Sequence, residues 1–206
     1  MDCRWNRAVL ALAVLLFGCP PKDEVRPDPA SSPPPGGAPS GGEPGPAPSP
    51  GPAPAPPSAA GRSAAADIRS STGLSGRATF VEKAGRVHVR IEVRTAPPGP
   101  HGVHIHEKGD CSDAGFLKAG GHFNPGNTPH GGPGTTVRHA GDFGNITVQA
   151  DGTGVLELET DQITLDSGPQ SVIGRAIIVH ERADDLTTQP TGNSGSRIGC
   201  GVISAT

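Results

Sequence analysis

From Arg86 to Arg94 the chain alternates strictly: Val87, Val89, Ile91 and Val93 are apolar and β-branched, and the residues between them are polar. A period of two places the apolar set on one face, so the segment predicts a strand with one side buried and the other in water. Shorter stretches of similar character predict strands over 76–82, 145–150, 155–160, 175–180 and 199–203, and His104 and His106 fall on another. Between them stand turn residues: Ala84-Gly85, Pro97-Pro98-Gly99, Asp151-Gly152 and Ser167-Gly168-Pro169. Outside the N-terminal segment no stretch shows a convincing 3.6-residue period. Several short strands with glycine-rich turns predict an all-β barrel or sandwich. Its core would be Val, Ile, Leu and Ala with Phe80, Phe116, Phe123 and Phe143. Two stretches, 107–144 and 181–198, are far longer than ordinary connections, and long ordered loops in compact domains usually carry function.

The N-terminal third follows a different pattern. Arg4 and Arg7 precede an apolar run over residues 8–18, which suits a signal-peptide core and falls well short of the roughly 20 residues of a membrane-spanning helix. The run closes on Leu16-Phe17-Gly18-Cys19, which resembles a bacterial lipobox, although Phe17 stands where that motif usually carries a small residue. Residues 1–18 are therefore expected to be a lipoprotein signal and Cys19 the lipidated residue that holds the chain to a membrane. Residues 19–64 are dominated by Pro, Gly, Ala and Ser. Such a stretch has little apolar surface to offset its ordering entropy, so it reads as a solvated tether. The folded domain is expected over 65–206.

Cysteine and charge narrow the picture further. Of the four cysteines, Cys3 lies in the segment expected to be removed and Cys19 is the lipid site, which leaves Cys111 and Cys200 in the domain. Export to an oxidising compartment makes a disulfide between them the natural reading. The formal net charge is −3, there is no Tyr, and the single Trp is Trp5 in the signal segment. Without a basic run or stacking aromatics the domain offers no nucleic-acid surface.

The candidate chemistry is a histidine cluster. Six of the eight histidines fall in the strings His104-Ile105-His106, Gly121-His122-Phe123, His130-Gly131-Gly132, Arg138-His139-Ala140-Gly141-Asp142 and Val179-His180-Glu181. Neutral imidazole is the commonest protein ligand for zinc and copper. His104 and His106 project from one face of a strand about 7 Å apart, within reach of one ion, though an alternating strand can carry such a pair by chance. His122, His130, His139 and Asp142 make a closed set of the kind zinc uses structurally. His180 could complete a nitrogen-rich set with His104, His106 and His122, which suits Cu(II). Spacing alone argues for two metals, not for a shared ligand. His88 alternates outward and His101 reads as a structural hydrogen bonder; Glu107, Glu181 and Asp185 read as solvated or structural.

These strings, in this order, together with Ala183-Asp184-Asp185 and Gly192-Asn193-Ser194-Gly195-Ser196-Arg197-Ile198-Gly199-Cys200-Gly201-Val202, resemble the copper–zinc superoxide dismutase family from about residue 70 to the end. The resemblance implies an eight-stranded Greek-key β-barrel with two long functional loops. It implies copper held by His104, His106, His122 and His180, and zinc by His122, His130, His139 and Asp142, with His122 bridging as an imidazolate. It makes Asp184 the outer carboxylate linking His104 to His130, Cys111–Cys200 the intrasubunit disulfide, and Arg197 the guide for the superoxide anion. The implied reaction is dismutation of superoxide to oxygen and hydrogen peroxide. The Cys111-to-His122 spacing and the short 181–198 stretch resemble the bacterial periplasmic branch, which fits the lipobox and a cell-envelope location. Monomer and homodimer are both compatible with the sequence. Two rival functions remain: a non-catalytic copper-binding or copper-delivery protein on the same scaffold, and a zinc hydrolase. The first is disfavoured by the filled copper positions and Arg197, the second by the closed zinc set.

Overall fold

The computed structural model describes residues 61–206. The signal segment, Cys19 and the tether up to residue 60 lie outside the described residues. Strands β1 (Arg62–Arg69), β2 (Ser75–Lys83), β3 (Arg86–Arg94), β4 (Gly99–His106), β5 (Asp142–Val148), β6 (Gly154–Thr160), β7 (Ala176–His180), β8 (Arg197–Val202) and the two-residue β9 (Ser204–Ala205) follow in chain order. There is no α-helix among the described residues, only a 3₁₀ turn at Leu117–Ala119. β1 begins ahead of the domain start that composition suggests at residue 65.

Neighbours run β2-β3-β6-β5-β4-β7-β8-β1, all antiparallel, and β1 pairs again with β2, so eight strands close into a barrel; β9 adds to β1. β4, β5 and β6 are consecutive neighbours and β7 returns to lie beside β4, which is Greek-key order. The β2–β3 hairpin turns on Ala84 and Gly85, both at positive φ (53° and 74°), the handedness that a two-residue connection between twisted strands requires.

Alternation fills the barrel. Phe80 of β2, Val87, Val89, Ile91 and Val93 of β3, Val103 and Ile105 of β4, Ile146 of β5, and Ile177 and Val179 of β7 pack into one interior cluster. β7 is buried on both faces. Its outer residues, Ala176 and Ile178, join Phe116, Ala119 and Cys200 in a second, smaller cluster with Cys111 against it. That cluster folds the first long loop back onto the outside of the barrel. A disulfide joins Cys111 to Cys200 of β8, with Cα atoms 5.8 Å apart across 89 residues of sequence.

Candidate metal centre

The same alternation that points Val103 and Ile105 inward turns His104 and His106 outward, under the two long loops. Both are buried, with exposures of 0% and 1%. Asp142 opens β5 directly opposite His104. The loop is drawn in by a three-way exchange of main-chain bonds: Phe123 N–H donates to Ile105 O, Ile105 N–H to Gly141 O and Gly141 N–H to Phe123 O. A Cβ at Gly141 would come 3.2 Å from that of Phe123 and nearer still to the Ile105 carbonyl oxygen, so glycine is required there. The exchange sets His122 beside β4 and His139 and Asp142 beyond it. His180 ends β7, just past a register shift against β8 at Val179/His180.

Two donor sets result. His104, His106, His122 and His180 offer one ring nitrogen each within 4.8 Å of one another; ring nitrogens of His122, His130 and His139 and a carboxylate oxygen of Asp142 lie equally close, and all seven residues are buried. The outward nitrogens are held by acceptors. His106 Nδ1 donates to Gly120 O (2.9 Å) and His180 Nδ1 to Gly195 O (3.2 Å). His104 Nε2 and His130 Nε2 donate to the two oxygens of Asp184, at 2.8 and 2.9 Å. Each such bond fixes the tautomer and leaves the inner nitrogen a lone pair facing the set. Accordingly His106 Nε2 and His180 Nε2 converge to 3.3 Å, His104 Nδ1 and His122 Nε2 are buried without a hydrogen-bond partner, and His130 Nδ1 lies 3.0 Å from Asp142 Oδ2. Buried polar atoms are rarely left so, and convergent imidazole lone pairs are the donors that copper and zinc take. The residues fit two metal ions.

The electrostatics of the first set agree. Burial pushes His106, His180 and His122 down to about 2, 3 and 4, and lowers His104 as well, so these rings stay neutral. Burial would also lower His130, but its hydrogen bonds with Asp142 and Asp184 outweigh it and raise the ring to about 9. Asp142 is held well below the ordinary carboxylate range despite its burial, by His122, His130 and His139. Asp184 is held low against burial by His104 and His130.

A cavity of about 400 Å³ opens onto His106, His122 and His180, and its wall includes Thr191, Ser194 and Arg197. Arg197 donates to Phe116 O and, at 2.6 Å, to Gly120 O, the carbonyl that also holds His106. A larger cavity of about 580 Å³ lies beside the disulfide and touches none of the imidazoles.

Residues 74–203 match the sequence model of a family described as copper/zinc superoxide dismutase. This chain belongs to the copper/zinc superoxide dismutase family. The extracellular superoxide dismutase [Cu-Zn] of Drosophila melanogaster is 42% identical to it over 142 residues, 65% of this chain and 77% of the relative. A crystal structure of the clock protein EA4 aligns with a TM-score of 0.65 and 42% sequence identity over 71% of this chain and 96% of that one. As a copper/zinc superoxide dismutase, the chain is an enzyme whose cofactors are copper and zinc.

His104, His106, His122, His130, His139 and His180 meet in the two sets. His88 is on the surface, and His101 is buried between the carbonyl oxygens of His180 (2.9 Å) and Pro97 (2.8 Å). Sequence reasoning missed the carbonyls of Gly120 and Gly195, which have no side-chain signature. It also missed Gln189, whose amide spans from the second long loop to His130.

Proposed function

We propose that this dismutase works at a centre in which His122 is shared between a copper set, with His104, His106 and His180, and a zinc set, with His130, His139 and Asp142. One observation carries the reading: both nitrogens of the His122 ring face ligand sets. Nε2 is buried without a partner on the copper side, while Nδ1 lies 2.9 Å from Asp142 Oδ1 and 3.4 Å from His139 Nδ1. When bound, copper supplies the one-electron redox change by which one superoxide leaves as oxygen and a second, with two protons, leaves as hydrogen peroxide.

The chain's own residues do the rest. The Arg197 guanidinium, anchored on two carbonyls, is the cation in the cavity wall and draws the small anion in. His122 Nε2 takes up a proton in one half of the cycle and returns it in the other. Asp142 and His139 hold the far side of that ring, so Nε2 stays aimed at the cavity. Asp184 fixes His104 and His130 together and so ties the two sets into one unit.

The test is direct superoxide decay by the copper- and zinc-loaded chain beside His106→Ala. Fast decay that needs copper and falls to the uncatalysed rate in the variant is expected. Stoichiometric copper binding without turnover would identify a copper-handling protein instead.

Residues 1–18 are read as an export signal, 19–64 as a tether and Cys19 as the lipid anchor of a periplasmic, bacterial-type enzyme, either monomer or homodimer. The lipobox-like Leu16-Phe17-Gly18-Cys19 and the Pro-rich stretch behind it support this, and an extracellular relative is compatible with export. Cys19→Ser is expected to move the enzyme out of the membrane fraction; a variant that stays acylated and membrane-bound rules the anchor out.

A further inference from the structure

His130 is the one zinc-set residue whose own backbone is gripped by a side chain from the other long loop. Its N–H donates to Gln189 Oε1 at 2.7 Å, and its carbonyl accepts from Gln189 Nε2 at 2.9 Å. No main-chain partner serves either group among the described residues. The amide orientation is set by the network: Nε2 faces a second acceptor, Thr187 O, at 3.1 Å, while Oε1 faces the donor. A reversed amide would oppose oxygen to oxygen and N–H to N–H.

Gln189 is presented by a strap that bonds to itself. Asp185 N–H donates to Gly192 O (2.9 Å) and Gly192 N–H to Thr188 O (2.7 Å), closing the segment at its base. Inside it the Asp185 carboxylate accepts from the Thr187 and Thr188 amides at 3.0 and 2.7 Å. At the closing point Gly192, at φ 64°, lies flat against the Asp184–His130 hydrogen bond; a Cβ there would come 2.7 Å from His130 Nε2 and closer to the Asp184 carboxylate. The strap therefore approaches His130 twice, at its ring through Asp184 and at its backbone through Gln189.

We infer that Gln189 is a positioning residue for the zinc set: its amide fixes the backbone of His130 so that the ring nitrogen meets the other three donors. The inference rests on the zinc assignment proposed above. The copper set's outer partners are the Gly120 and Gly195 carbonyls and Asp184, the last shared with His130, and none of them bonds to Gln189. Its loss therefore falls first on the zinc set and reaches the copper set only through Asp184 and His122, which the two share.

The test uses the full chain, stripped of metal with its disulfide intact. Zn²⁺ and Cu²⁺ affinities are measured by competition with chromophoric chelators, and Co²⁺ reports the zinc set by its visible spectrum. Gln189→Ala is expected to weaken Zn²⁺ roughly 10–100-fold, the usual cost of losing an outer partner of a ligand. Copper affinity should stay within about two-fold on the same argument, and the Co²⁺ band should shift at saturation. Gln189→Glu keeps an acceptor for the His130 N–H but turns a carboxylate oxygen towards the His130 and Thr187 carbonyls, so it should not restore zinc affinity above that of Gln189→Ala. Unchanged zinc affinity in Gln189→Ala, or equal weakening of both metals, overturns the role. Failure of the unsubstituted chain to bind zinc or Co²⁺ at the second set would instead sink the zinc assignment itself.

Discussion

Arg197 is anchored by the same carbonyl, Gly120 O, that fixes the tautomer of His106, so in the proposed mechanism guidance of the anion and orientation of a copper donor share one atom. A guanidinium held at two points presents its charge in one place, and in a cavity with low-dielectric walls that charge acts over several ångströms. The whole chain carries −3, so attraction has to be local. Arg197→Glu reverses the charge at the wall and removes two donors without touching a metal donor. Superoxide decay by the loaded variant is expected to be slower by roughly ten-fold or more at low salt. Raising ionic strength should narrow the gap by screening both the attraction and the repulsion. Copper content should not change. Equal rates at low salt would remove Arg197 from the mechanism.

At the scale of elements, what was legible in the sequence followed burial. β3 alternates because one face lies in the barrel and the other in water, and its expected span over 86–94 is the span observed. β7 reads as a continuous apolar run because loop residues cover its outer face. β1 escaped notice: Arg-Ser-Ala-Ala-Ala-Asp-Ile-Arg offers three alanines and one β-branched residue, and only pairing along its whole length with β2 makes it a strand. β5 was expected at 145–150 but starts at Asp142, because Asp142-Phe143-Gly144 reads as loop until His104 pairs with Asp142. The ligand residues were visible as types, since six imidazoles and an aspartate have few other uses together. That His122 faces both sets followed only from the family resemblance and not from spacing, because a ring has two nitrogens and residue order says nothing of where each points. The disulfide pairing was reachable by elimination; the reason for it is structural, since it pins the loop bearing Gly120 against β8.

For the molecule as a whole, the centre is a stability load that the metals relieve, and pH exposes this in the metal-free protein. Unfolded histidine titrates near 6.5. In the folded chain His106, His180 and His122 are depressed to about 2, 3 and 4 by burial, so below about pH 6.5 the unfolded state binds protons that the folded state refuses. Their contribution is fully present above 6.5 and is lost as pH falls, at up to about 1.4 kcal/mol per pH unit for each ring. Asp142 and Asp184, both held low, add a further loss below about pH 4, where their unfolded counterparts become protonated. His130 runs the other way: raised to about 9, it stabilises below 6.5 and that contribution disappears as pH climbs through 9. Metal-free stability should therefore peak near pH 6.5, decline towards pH 9 by up to about 1.4 kcal/mol per pH unit through His130 alone, and drop more steeply on the acid side, where three rings act together. Copper and zinc on the inner lone pairs favour the folded state by mass action. The loaded protein should hold its transition temperature to lower pH than the metal-free one, until protons compete the metals away. Calorimetric scans of both forms from pH 4 to 10 decide the matter. A metal-free transition temperature that stays flat between pH 6.5 and 5 would mean that the imidazoles already carry protons in the folded protein, and that the neutral, lone-pair arrangement drawn for the copper set is wrong.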